Sequence, residues 1–158
     1  PLFEGEPDAA LVQQRARMRY EYRVQVIGGD RVCGAGCIER FTPADNTGER
    51  YDPRMEETRN NGRIESRPDI ARLYEAFAHE AAHAIRGEVE GPYVMDLYLD
   101  DAGQPHVIEL NPQSNSGLYA LDMDALLTAI RDNPEQFMPD PSRSGMPGCL
   151  GVREEDSI

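Results

Sequence analysis

Lysine is missing altogether. All 16 basic residues among the 158 are arginine, set against 29 aspartates and glutamates for a formal net charge of -13. The arginines are scattered rather than massed, so no surface that grips a phosphate backbone is expected and nucleic acid is not an expected partner. Long apolar runs are missing too: nothing approaches the roughly 20 apolar residues that a membrane span needs. No basic segment followed by an apolar stretch and a cleavage site marks a secretory leader. Cysteine is scarce, and Cys33, Cys37 and Cys149 cannot all pair internally. Together these absences lead us to expect a soluble chain in a reducing, cytoplasmic setting, with one domain or a large part of one.

What is present reads as α+β. Residues 10–14 (ALVQQ) and 20–27 (YEYRVQVI) are expected to be extended, with a turn at 28–30 (GGD) before RVCGAGCIERF, giving successive antiparallel strands. Residues 42–67 are polar and broken by Pro43, Gly48, Pro53 and Gly62, so no regular element is expected there. Residues 66–86 begin with a capping serine and an early proline. They then repeat apolar residues at Ile70, Leu73, Phe77, Ala81 and Ala84, which predicts an amphipathic helix. Residues 93–99 (YVMDLYL) and 105–110 (PHVIEL) flank the turn DDAGQ as a hairpin, and a short helix is expected over 122–131. From Asp132 onward there are four prolines and few apolar residues, so residues 1–131 are expected to be the folded unit and 132–158 a poorly ordered tail.

The hairpin carries the chemistry. If it is centred between Ala102 and Gly103, Asp96 lies opposite Glu109 on one face, with Cβ atoms about 5 Å apart. Asn111, two residues on from Glu109, shares that face. Two adjacent carboxylates repel unless water or a cation intervenes, and Mg²⁺ takes one or two carboxylates together with phosphate oxygens. Asp96, Glu109 and Asn111 are therefore candidate magnesium ligands. The alternative is an ordinary half-exposed hairpin whose acids face solvent.

The run YVMDLYLDDAGQPHVIELNPQSNSGLY resembles the C-terminal subdomain of the ATP-grasp superfamily, where an aspartate on one strand and a Glu-x-Asn on the next hold the magnesium ions of ATP. ALVQQRARMRYEYRVQVIGGDRV resembles the hinge strand and the acid-opened strand that follows it in that family. The resemblance implies an antiparallel sheet with one long helix packed on it, and ATP and Mg²⁺ as cofactors. It also implies phosphorylation of a carboxylate to an acylphosphate that an amine or thiol then attacks. By the same correspondence Val12, Gln13, Gln14 and Arg15 lie along the adenine, and Glu21 reaches the ribose. Arg23 and Arg40 contact phosphate or a substrate carboxylate, and Ser114, Asn115 and Ser116 form a substrate-facing loop for a small carboxylate or a peptide. The family's lysine-bearing, flap-bearing N-terminal half has no counterpart here, so such a half, or another copy in a homo-oligomer, is an expected partner. A non-catalytic ATP-binding assembly chaperone or a degenerate half-domain is the alternative within the same resemblance.

Two further motifs compete. HEAAH at residues 79–83 matches the HExxH of zinc peptidases, with His79 and His83 as ligands and Glu80 activating water. The two histidines nevertheless project away from the expected apolar stripe, and no third ligand follows a recognised pattern. Cys33 and Cys37, spaced by Gly34 and Gly36, read either as a metal knuckle or as small buried residues on a strand.

Overall fold

The computed structural model describes residues 16–37, 39–59 and 62–138. In chain order the elements are strands β1 (Arg19–Ile27), β2 (Asp30–Gly36), β3 (Arg54–Glu56) and β4 (Ile64–Ser66), helix α1 (Pro68–Ala84), strands β5 (Tyr93–Leu99) and β6 (Pro105–Pro112), and helix α2 (Met123–Asp132). The main sheet has the order β2-β1-β5-β6 with every neighbour antiparallel, while β3 and β4 form a separate ribbon. The extended segment expected at residues 10–14 lies outside the described residues.

Alternation along β1 sets the two faces of the sheet. Tyr22, Val24 and Val26 join Met95, Leu97 and Leu99 of β5 under α1, in a core completed by Ile70, Tyr74 and Ala78. The opposite face, with Ile27, Val32, Cys33 and Ala35, is covered by Leu121 and by Leu126 of α2. The β1–β2 connection is Gly28–Gly29 with φ of 71° and 74°. This is the mirror-image turn that matches strand twist and that glycine adopts without penalty.

Two expectations need correction. Residues 42–67 are not devoid of regular structure: β3 and β4 pair there, and Tyr51 bridges Gly34 at the free edge of β2. The polar composition hid this because only isolated apolar residues, Tyr51 and Met55, reach the core, helped by the ion pair of Arg54 with the buried Asp52, with no apolar run to mark the segment. The glycines of β2 also matter here, since a Cβ at Gly36 would collide with the Arg54 carbonyl. Second, α1 is capped at Arg67 and not Ser66, with no side-chain cap bond. It buries Ile70, Ala71, Tyr74, Ala78 and Ala82 and leaves Leu73 39% exposed. Tyr74 rather than Leu73 turns inward because its hydroxyl donates to the Tyr20 carbonyl at 2.7 Å and its ring stacks on Tyr22. The alanines on either side let the helix lie close to the sheet. Past residue 131 the described residues continue to Met138. A turn at Pro134–Gln136 follows α2, and the Gln136 side chain accepts a hydrogen bond from the Gly28 amide at 2.9 Å. Residues 139–158, the rest of the expected tail, lie outside the described residues.

Candidate metal and nucleotide face

The β5–β6 hairpin turns on Asp100, whose side chain accepts from the amides of Ala102 and Gln104, with Gly103 at φ 76°. Close to the turn the pairing is Leu99 with Pro105 and Leu97 with Val107; beyond it, Asp96 pairs with Glu109 and Val94 with Asn111. Ile108 is thus an extra residue, a bulge. It brings Glu109 level with Asp96 even though the turn itself is centred one residue earlier on β6.

The register across the sheet then lays out the face. One row runs Ala35, Arg23, Asp96, Glu109, and the next runs Cys33, Gln25, Val94, Asn111. Asp96 is 2% exposed, and Arg23 grips both its oxygens, Nε to Oδ1 at 2.7 Å and Nη2 to Oδ2 at 2.6 Å. This bidentate bond holds the Arg23 guanidinium firmly charged against the opposing effect of burial. Arg23 also lies over the Tyr119 ring and donates to the Gly117 carbonyl at 3.4 Å. Glu109 is exposed, and the Asn111 amide donates to its Oε1 at 2.9 Å. The Asn111 oxygen remains unoccupied by that bond. Two carboxylates and one amide therefore share one face, with the Asp96 oxygens turned to Arg23 and Glu109 joined to Asn111. Among the described residues no group of three or more His, Cys, Asp or Glu side chains gathers to hold a metal. A set of two carboxylates plus an amide fits magnesium, which asks for few protein ligands.

The other candidate residues are more dispersed. Glu21 sits on β1 beside this face, 4.0 Å from the exposed Arg59 guanidinium. Arg40 does not join Arg23; with Arg59, Cys37, Glu39 and Glu56 it lines a separate hollow of about 190 Å³. The Ser116 hydroxyl donates to the Pro112 carbonyl at 2.9 Å and closes the turn after β6, which leaves its oxygen as an acceptor. Ser114 and Asn115 are exposed on that turn. Val12, Gln13, Gln14 and Arg15 lie outside the described residues. Sequence reasoning missed Gln25 and Tyr119. Gln25 was signalled by alternation: Glu21, Arg23 and Gln25 recur at period two against Tyr22, Val24 and Val26. Tyr119, at φ 47°, had no such signal because a loop decides its position.

Among the described residues the competing motifs gather no third metal ligand. His79 and His83 are exposed on α1, and His79 has only a 3.7 Å approach to Asp30. Burial pushes the Cys33 thiol up to about 12 and the Cys37 thiol up to about 11, so both stay protonated at neutral pH and neither is a ready metal ligand or nucleophile. A hollow of about 540 Å³ among the described residues is lined by Asp30, Arg50, Asp122 and residues of α2, and touches none of Asp96, Glu109 and Asn111. No helix among the described residues is long and apolar enough to cross a membrane. Comparison with protein-family models, with curated proteins and with solved structures finds no match.

Proposed function

We propose that this sheet face binds Mg²⁺-ATP in the manner of the C-terminal half of an ATP-grasp site and serves ATP-dependent ligation of a carboxylate to an amine or thiol. The observation that carries the reading is the pairing of Asp96 with Glu109, with Asn111 hydrogen-bonded to Glu109 on the same face. Asp96, Glu109 and Asn111 would hold the ion. The ion would supply positive charge to neutralise the phosphate oxygens. In the ligation, a substrate carboxylate oxygen bonds to the γ-phosphorus as ADP leaves. The amine or thiol then bonds to the acyl carbon as phosphate leaves, losing a proton. This chain's contribution is placement and charge: Arg23 fixes the Asp96 carboxylate, and with no lysine in the sequence any further permanently charged cation that this chain itself supplies is arginine.

Calorimetry tests the reading. Glu109→Gln should weaken ATP binding in the presence of Mg²⁺ by at least about tenfold, a loss of ~1.4 kcal/mol, with the thermal midpoint unchanged because Glu109 is exposed. Asp96→Asn should weaken binding too. Equal affinity in wild type and both variants would remove the metal assignment. A second reading, nucleotide binding without turnover, is favoured by the fact that both Asp96 oxygens are engaged by Arg23. ADP release in the presence of candidate carboxylates and amines separates the two.

A further inference from the structure

Gln25 is fully buried, yet neither its Oε1 nor its Nε2 has a hydrogen-bond partner among the described residues. A buried polar group left in that state costs about 1–3 kcal/mol, and native interiors contain few of them. An apolar side chain of the same length would fill the space without that cost; its cross-strand neighbours on the same face, Cys33 and Val94, are both buried and make no hydrogen bond with it. The amide's position offers an explanation. Gln25 faces the same way as Arg23 and Asp96, and across β5 only the short Val94 side chain separates it from Asn111. It therefore borders the oxygen cluster from the buried side.

We infer that Gln25 is an outer-shell positioning residue of the metal site, taking a hydrogen bond from a magnesium-bound water. The inference rests on the Mg²⁺-ATP reading of this face. Magnesium keeps several of its waters when proteins bind it, and those waters are polarised donors in need of an acceptor. Gln25 Oε1 is such an acceptor, already desolvated and held on a strand. Outer-shell partners of this kind typically change metal affinity by about ten- to a hundredfold when removed.

The test is a Mg²⁺ titration of the whole chain in the presence of ATP, followed by NMR, with wild type, Gln25→Met and Gln25→Glu. The methionine variant keeps length and volume but cannot accept a strong hydrogen bond. Its Mg²⁺ half-saturation should rise about tenfold or more, while binding of ATP without metal is unchanged and the metal-free thermal midpoint stays at or above that of wild type. The glutamate variant keeps an acceptor and should bind Mg²⁺ at least as well as wild type. An unchanged Mg²⁺ dependence in Gln25→Met, or a weakened one in Gln25→Glu, overturns the inference while leaving the metal face standing. Wild type that shows no Mg²⁺-dependent ATP binding overturns the reading beneath it.

Discussion

Asp96 and Arg23 form a nearly buried pair at the centre of the sheet, with side chains 2% and 12% exposed. Removing one member leaves the other charge without its partner, which typically costs about 3–5 kcal/mol. Arg23→Met should therefore destabilise the fold by that order in urea unfolding, and adding Asp96→Leu should recover most of the loss. If Arg23→Met alone is neutral, the pair does not organise this face. The thiols give a second test at this scale. Their ordinary value is 9.0, and burial lifts Cys37 to about 11 and Cys33 to about 12. Above pH 9 the unfolded chain loses these protons while the folded chain keeps them. Stability must then fall as pH rises from 9 towards 11–12. The thermal midpoint of wild type should drop across that range more steeply than that of a Cys33→Ala, Cys37→Ala variant. Matching slopes would show that the thiols are not the cause.

At the scale of elements, the sequence was most readable where periodicity alone decides structure. The strands over 20–27 and 93–99 and the hairpin turn at Gly103 were visible in alternation and turn residues. The opposition of Asp96 and Glu109 was also visible, although it arises through the bulge at Ile108, a feature with no sequence mark. The buried face of α1 was read only in part: Ile70 is buried and Phe77 and Ala81 pack against the core, but Leu73 faces out, because a tyrosine with a backbone acceptor waiting for it outcompetes a leucine, and a sequence does not show the acceptor. Tyr74→Phe should accordingly cost about 1–3 kcal/mol, and Leu73→Ala clearly less, since Leu73 is already 39% exposed. The reverse order in chemical denaturation would contradict the observed face. His79→Ala with His83→Ala should change stability by no more than about 0.5 kcal/mol, and purified protein should carry no stoichiometric zinc by elemental analysis. One zinc per chain, lost in the double variant, would restore the peptidase reading.

For the molecule as a whole, two surfaces compete for a ligand: the oxygen-rich face spanning β1, β5 and β6, and the larger hollow beside α2. Size favours the hollow. Chemistry favours the face, because it gathers two carboxylates, an amide oxygen, a fixed arginine and a buried amide with no partner among the described residues. The most direct test of the central claim is an NMR titration of the 158-residue chain with ATP, with and without Mg²⁺. The expected result is a set of Mg²⁺-dependent shifts centred on Arg23, Gln25, Asp96, Glu109 and Asn111. Shifts centred instead on Asp30, Arg50, Asp122 and Thr128, or the same shifts whether or not Mg²⁺ is present, would contradict it.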